Sequence, residues 1–278
     1  MRALWPVAGL LLFACYAPAA EEKANDATPI HRALQKLYNF DFAGTHGLLD
    51  GYIAAHPDDP LGYAFRGSAY LFSELNRLSI LEAEFLIDDD RIIDKKKDQP
   101  DPAVKKAMTE ALALARRHAE ARLGANPRDE EALFTMCVVS GVETDYAALV
   151  EKRQFGSLTY AKQSQRYAVR LLTENPQYYD AYLTAGVSEY LLGSMPFFLR
   201  WFVRFDRVEG NKKKAVDNLK LVARSGLYLK PFAKILLSII YLREKQPAES
   251  ERMLREFSHE YPDNPLVRKE LARFEKLH

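Results

Sequence analysis

The chain has 278 residues, of which 48% are apolar and 28% are charged, a balance typical of folded soluble proteins. Its formal charge is +1, and Arg2 lies in a segment that we expect to be removed, which leaves 38 basic and 38 acidic residues. This neutral balance argues against a general attraction to nucleic acid, so such a contact would need a local patch. The length provides enough apolar material for one elongated domain or two small ones.

Residues 1–20 have the features of a secretory signal peptide. Arg2 supplies the positive start, the apolar stretch Ala3–Tyr16 follows, and Ala17-Pro18-Ala19 forms a cleavage site of the A-x-A type. The apolar stretch is short for a membrane span, and no later stretch is expected to be long and apolar enough to cross a bilayer. The sequence therefore predicts an exported protein, located in the periplasm or at the cell envelope.

An alternative interpretation of the same segment is a lipoprotein signal. Leu12-Phe13-Ala14-Cys15 resembles a bacterial lipobox, in which Cys15 would carry the lipid and tether the protein to a membrane. Phe13 is bulky for that motif, so simple cleavage and lipidation both stay open. In either case Cys137 has no partner for an internal disulfide, and its apolar surroundings predict a small buried residue.

The most informative feature further along the chain is a recurring proline. Four times an amphipathic segment ends in a residue followed by proline, and polar residues then lead into a new apolar segment. The four sites are His56-Pro57, Asn126-Pro127, Asn175-Pro176 and Tyr261-Pro262. Proline ends a helix and restricts the residue before it, so each site predicts the end of one helix and the start of another.

Small and aromatic residues recur at fixed distances from these prolines. We number the chain in 34-residue units in which each of these prolines is position 32. Tyr63 and Tyr182 then fall at position 4, Gly67 and Gly186 at position 8, and Tyr70 at position 11. The small position of the second helix is matched by Ala115, Ala215 and Ser250. This spacing resembles the tetratricopeptide repeat (TPR) family. The resemblance implies an all-α fold, an irregular TPR-like α-solenoid of antiparallel helix hairpins, similar to exported bacterial TPR proteins without an assigned activity.

The resemblance covers most of residues 31–277, but the repeats are interrupted. The prolines are 70, 49 and 86 residues apart, so we expect insertions inside the hairpins at 88–102 and 194–209. Residues 21–29 should form a flexible mature N-terminus, followed by a helical domain over 30–278. The helical periodicity predicts helices at 30–55, 60–87, 102–125, 129–150, 156–174, 178–193, 196–208, 211–225, 230–244, 247–260 and 265–277.

Catalytic and metal-binding motifs do not occur in the sequence. It contains no nucleophile elbow, no H-E-x-x-H pair and no glycine-rich phosphate loop. Asp88-Asp89-Asp90 precedes Asp94, but Ile93 and Gln99 occupy the places where a calcium loop needs glycine and glutamate. We therefore expect a solvated connector there, and neither a metal site, nor a cofactor, nor an enzyme.

One inserted segment has an unusual composition. On a helix, Arg200, Arg204 and Arg207 would form one narrow stripe, with Phe198 and Trp201 among the aromatic residues on the other side. Three interpretations stay open: the aromatic residues fill the groove of the solenoid, the segment binds a partner or ligand, or it lies in a membrane interface.

The predicted groove is itself apolar. The groove-facing positions of two units hold Ala64, Ser68 and Leu71 in one, and Leu183, Val187 and Tyr190 in the other. An apolar groove does not stand open in water, so we expect the inserted helix or a small apolar ligand to cover it. The candidate binding residues are Tyr190, Phe198, Arg200, Trp201, Arg204 and Arg207.

These observations favour a non-catalytic scaffold or adaptor of the bacterial envelope that binds a protein partner. The alternative is a solute- or lipid-binding envelope component that uses the apolar groove near residues 196–208. Membrane association would come from lipid on Cys15 or from the 196–208 helix, and no nucleic-acid partner is expected.

Overall fold

The computed structural model describes residues 28–82, 99–194 and 207–276. These ranges contain eleven α-helices and no strand, and consecutive helices pack against each other in neighbouring pairs, which confirms the predicted all-α class. The helices are α1 Pro29–Tyr38, α2 Phe42–Ala55, α3 Pro60–Arg77, α4 Pro102–Ala125, α5 Glu130–Asp145, α6 Gln154–Glu174, α7 Tyr182–Ser194, α8 Lys212–Ser225, α9 Lys230–Arg243, α10 Pro247–Glu260 and α11 Pro265–Glu275. A π-helical turn, Tyr146–Val150, follows α5, and a 3₁₀ turn, Tyr179–Ala181, precedes α7.

Two predicted helices were wrong in extent. The predicted helix 30–55 is two helices, because Phe40 takes a left-handed conformation with φ of 64°. Asp41 then starts α2 by accepting a hydrogen bond from the Gly44 N–H at 2.8 Å. The helix predicted over 60–87 ends at Arg77, since Ser79 is left-handed as well, with φ of 53°. Most of the predicted helix 196–208 lies outside the described residues, and Arg207 and Val208 are not helical.

The four proline sites form the same hydrogen-bonded turn. In each, the residue before proline donates its N–H to the carbonyl four residues earlier, and its own carbonyl accepts the N–H of the third residue after it. The second set of bonds comprises Asp59 to His56, Asp129 to Asn126, Tyr178 to Asn175 and Asn264 to Tyr261, at 3.0–3.2 Å. Two tyrosines six residues after their prolines repeat a further contact, since the hydroxyls of Tyr63 and Tyr182 donate to the carbonyls of Pro57 and Pro176.

A fifth turn of this kind, between α8 and α9, lacks proline. Gly226 donates its N–H to Val222 as in the other turns, but Asp180 then takes over the capping. The buried Asp180 carboxylate accepts the N–H groups of Leu227 at 2.8 Å and Leu229 at 2.7 Å. A side chain from a neighbouring hairpin therefore satisfies donors that the missing turn leaves free.

The helices of each hairpin cross at small residues. Five small residues of the second helices are at most 3% exposed: Thr45, Ala115, Ser164, Ala215 and Ser250. Each lies twelve positions before a turn proline, except Ala215, which lies twelve positions before Leu227 in the turn without proline. Gly67 and Gly186 face them from the first helix, since a Cβ at either would lie within 3.0 Å of Leu112 or Leu219. Cys137 lies at the same place in the hairpin between them, and its Sγ is 3.5 Å from Ser164 Oγ.

The two ends of the helical array meet. Tyr38, at the end of α1, makes edge-to-face contacts with Phe257 and Tyr261, and the buried Asn264 donates to its carbonyl at 2.6 Å. His31 Nε2 lies 2.9 Å from the carbonyl of Leu227. The N-terminal hairpin therefore packs against the C-terminal hairpin, and the array curls back on itself.

This closure fills the inner surface with the protein's own aromatic residues. Tyr228 stacks on Phe134 with ring centroids 5.8 Å apart, and Phe232 contacts Phe72 edge-to-face. Apolar residues of α1, α3, α5, α10 and α11 belong to the same buried cluster. The predicted groove positions Ala64, Leu71 and Leu183 belong to two other buried clusters, and the expectation that the inserted helix covers them stays a prediction, because residues 195–206 lie outside the described residues.

Within the described residues, one helical stretch is long and apolar enough to cross a membrane, contrary to the sequence-based expectation. It runs from Glu130 to Val150, because the π turn continues α5 without a break. Most of its apolar window is buried between the neighbouring helices. Its composition is therefore accounted for by its place at the centre of the fold.

Candidate functional site

The strongest candidate site is the base of the insertion between α7 and α8, where a buried glutamate holds the returning chain. Glu189 Oε2 accepts the backbone N–H groups of Glu209, Gly210 and Asn211 at 3.1, 2.7 and 2.9 Å. Its other oxygen lies 2.8 Å from Lys214 Nζ. The carboxylate thereby satisfies donors at the start of α8 and fixes where the insertion re-enters the fold.

The electrostatics of Glu189 follow from these contacts. Its side chain is 2% exposed, so burial acts to raise its pKa. Lys214 and the N–H groups of Asn211 and Gly210 outweigh burial, and the pKa lies below the ordinary value for glutamate. The carboxylate is therefore ionised at neutral pH, and its charge favours the contacts that hold the returning chain.

The two ends of the insertion also meet at a pair of glycines. A Cβ on Gly193 would lie 2.6 Å from the carbonyl oxygen of Gly210, and Gly210 has a φ of +76°. Both positions therefore require glycine, one for close approach and the other for a left-handed backbone. Together with the Glu189 clamp, they bring the chain before residue 195 into contact with the chain after residue 208.

A second buried glutamate closes the other insertion in the same way. Glu74, whose side chain is 1% exposed, pairs with Arg77 at 2.8 Å and accepts the N–H of Asp101 at 2.8 Å. Arg77 in turn donates to the carbonyl of Gln99 at 2.9 Å. Both predicted insertions therefore leave and re-enter the fold at a glutamate near the end of the first helix of a hairpin.

The structure places the predicted binding residues in different environments. Tyr190 is 7% exposed; its hydroxyl donates to Glu244 at 3.1 Å and Lys212 lies 5.6 Å from its ring centroid. It therefore joins α7, α8 and the end of α9. Arg207 is exposed, has a φ of 57°, and its Nη1 lies 3.5 Å from Thr173 Oγ1. Phe198, Arg200, Trp201, Arg204 and Cys15 lie outside the described residues.

Cys137 lies among hydroxyl groups but is not arranged for catalysis. Its Sγ is 3.1 Å from Thr184 Oγ1, and burial raises the pKa of the thiol above its ordinary value despite these contacts. A thiol in this state is not ionised at neutral pH and is a poor nucleophile. Across the described ranges, no group of three or more histidine, cysteine, aspartate or glutamate side chains could hold a metal ion.

Asp145 is a further candidate residue, at the end of α5. It continues the stripe of Phe134 and Val138 along α5 and immediately precedes the π turn. It is only partly accessible, and within the described part of the chain its carboxylate has no hydrogen-bond or ion-pair partner. Burial alone raises its pKa to about 7. The sequence did not distinguish Asp145 from the nearby acid Glu143. The Glu143 carboxylate accepts a hydrogen bond from Arg116 at 2.7 Å.

A further missed residue is Phe155, in the first turn of α6. It is 90% exposed, which is the greatest exposure among the large apolar side chains that the structure describes. Leu191, near the end of α7, is 49% exposed. The run Lys152-Arg153 before Phe155 gave a sequence signal for a surface position, but periodicity alone did not separate Phe155 from the core.

No protein-family model, curated protein or solved structure matches this chain.

Proposed function

We propose that this protein is a non-catalytic TPR-like scaffold of the bacterial cell envelope, which binds a protein partner through the insertion between α7 and α8. The observation that carries the proposal is the Glu189 clamp, which anchors an arginine- and aromatic-rich segment at both ends. Arginine and tryptophan are enriched among residues that dominate protein interfaces. The clamp and the Gly193–Gly210 contact fix where the chain leaves and re-enters the fold on either side of this segment.

The repeated geometry supports the TPR-like part of the proposal. The proline turns share one hydrogen-bond pattern, and small residues at equal spacing mark each helix crossing. Arrays of helix hairpins are used widely as binding scaffolds because they present extended surfaces. Export of the chain, with or without lipid on Cys15, is proposed from the composition of residues 1–20 alone.

The solute- or lipid-binding alternative has less support. Of its groove-facing positions, Ala64, Leu71 and Leu183 are buried in the protein's own helical core. Native mass spectrometry of the purified protein would revive this alternative if a small molecule were retained. A mass equal to that of the chain would count against it.

The test of the scaffold proposal is crosslinking and affinity capture from native envelopes. A partner should be recovered with the unmodified protein, and its yield should fall at least several-fold with Arg200→Ala/Trp201→Ala. Arg252→Ala/Arg255→Ala is a matched control, because these α10 arginines are exposed and only pair with acids of their own helix. Equal loss in both variants, or no enriched partner, would contradict the proposal.

A further inference from the structure

The outer face of α6 combines cations with one protruding aromatic ring. At 100° per residue, six side chains fall within about 80° of each other on this helix, opposite to its buried face. They are Phe155, Thr159, Lys162, Arg166, Arg170 and Thr173, and we call them the α6 stripe. All are exposed except Lys162, which is partly exposed.

Among the described residues, the α6 stripe has almost no compensating negative charge. The one acid of this helix, Glu174, lies next to the stripe and pairs with Arg128 at 3.3 Å. In the described ranges, Lys162 and Arg166 have no ion-pair or hydrogen-bond partner, and Arg170 donates only to the neutral carbonyl of Pro127. Arg207 adds a fourth cation, through its contact with Thr173 at the far end.

The position of Phe155 extends this charged face beyond its neighbour. Helix α6 has 21 residues and α7 has 13, and the two run antiparallel from the Asn175 turn. The 3₁₀ turn Tyr179–Ala181 runs directly into α7 and adds about 6 Å to that arm, so the first turn of α6 projects roughly 6 Å past the end of α7, at about 1.5 Å per α-helical residue and 2.0 Å per 3₁₀ residue. A phenylalanine that is 90% exposed at such a tip makes almost no contact with the folded protein.

We propose that the α6 stripe docks the protein on an anionic lipid bilayer, with Phe155 in the headgroup region and the cations against lipid phosphates. Cations without specific acidic partners match a surface of diffuse negative charge, where each contributes separately. A single projecting aromatic residue suits a fluid interface, whereas a protein hot spot lies at the centre of a packed patch with a dry rim. This orienting role goes beyond partner binding, because it uses a different face of the fold.

Vesicle co-sedimentation of the full chain tests this inference. The probes are vesicles of phosphatidylcholine with 30% phosphatidylglycerol, and vesicles of phosphatidylcholine alone, at about 0.1 M salt. We expect binding to the anionic vesicles to fall about tenfold or more in Lys162→Gln/Arg166→Gln, since each interfacial cation contributes about fivefold. Phe155→Ser should weaken the same binding several-fold.

The control variant is Lys106→Gln/Arg117→Gln on the exposed face of α4, which removes the same charge elsewhere. It should leave binding unchanged, and because every variant keeps residues 1–27, any binding by that segment cancels in the comparison. Equal effects of the α4 and α6 variants would overturn the proposal, as would unchanged binding of the α6 variant to the anionic vesicles. Binding of each variant to polyglutamate is measured as well. If the α6 variant bound polyglutamate more weakly but bound the anionic vesicles as well as the unmodified chain does, the face would bind an acidic protein, and the bilayer proposal would fail.

Discussion

Two single residues, Cys137 and Glu189, occupy positions of the repeat pattern with side chains that the pattern does not specify. Cys137 lies ten residues after Pro127, the same distance that separates Gly67 and Gly186 from their prolines. It therefore serves as the small residue of a helix crossing, in line with the expectation of a small buried side chain. Glu189 replaces the aromatic residue that the repeat pattern expects, and the replacement supplies the clamp for the following insertion.

Asp145 gives the prediction at this scale. Its pKa of about 7 in the folded protein lies well above that of an unfolded aspartate, so the folded state binds more protons between about pH 4 and pH 7. Stability should therefore fall as pH rises through this window, by at most about 1.4 kcal/mol per pH unit from this residue. Asp145→Asn should remove the loss and stabilise the protein by about 1 to 3 kcal/mol at pH 8.

Urea unfolding at pH 4 and pH 8 measures this effect as the difference between the variant and the unmodified chain. That difference cancels the titration of other groups. Glu143→Gln is the control, because it removes a carboxylate on the same helix that is paired with Arg116, and it should not stabilise the protein. Parallel pH profiles for Asp145→Asn and the unmodified protein would contradict the predicted pKa.

At the scale of helices, local chemistry explains the boundaries. The second helices of hairpins end at proline or at Gly226, and the prolines could be read directly from the sequence. First helices end differently, with left-handed Phe40, Ser79 and Lys245 followed by hydrogen bonds that span five residues. Because none of these residues is glycine, the usual signal for such an end was absent. The predicted helices 30–55 and 60–87 were too long for this reason.

Glycine substitutions test the helix crossings. A Cβ at Gly186 would lie 2.9 Å from Leu219 Cγ and 3.1 Å from the backbone oxygen of Ala215, which cannot move freely. Gly186→Ala should therefore destabilise the protein by about 1 to 3 kcal/mol. Gly51→Ala should have the opposite sign, a gain of about 0.5 to 1 kcal/mol, because a Cβ there meets nothing within 4 Å and alanine favours helix. Thermal unfolding of the two variants would show opposite shifts, and shifts of the same sign would count against close packing at Gly186.

For the molecule as a whole, the decisive feature is the contact between the first and last hairpins. An open array would leave the inner surface available along its length. Here Tyr38, Tyr228 and Phe232 pack in the buried cluster of that surface, and a buried glutamate holds described residues that flank each insertion. The search for binding residues therefore moves from the inner groove to the insertion after α7 and to the α6 stripe.

Asn264 tests this closure. Its Nδ2 donates to the buried carbonyl of Tyr38, while its Oδ1 accepts the Val267 N–H at the start of α11. Asn264→Ala should cost about 2 to 3 kcal/mol, from a lost cap and an unsatisfied carbonyl. Amide hydrogen exchange should become faster in α1 as well as in α11.

Asn126→Ala is the control and should lower the free energy of unfolding by less than about 1 kcal/mol, since that exposed side chain only accepts the nearby Arg128 N–H. Faster exchange confined to α11 would show that the ends are not coupled.

The sequence by itself determined the all-α class, the four proline turns and the register of the helix pairs. These depend on hydrogen bonds and contacts between residues close in the chain, so local patterns carry them. Only the tertiary structure decided that the array closes on itself and that Tyr190 is buried. It also decided that, among the described residues, the Asp145 carboxylate has no partner and the α6 stripe has little compensating charge. These outcomes depend on contacts such as His31 with Leu227, 196 residues apart, which no local pattern encodes because they arise when the hairpins pack together.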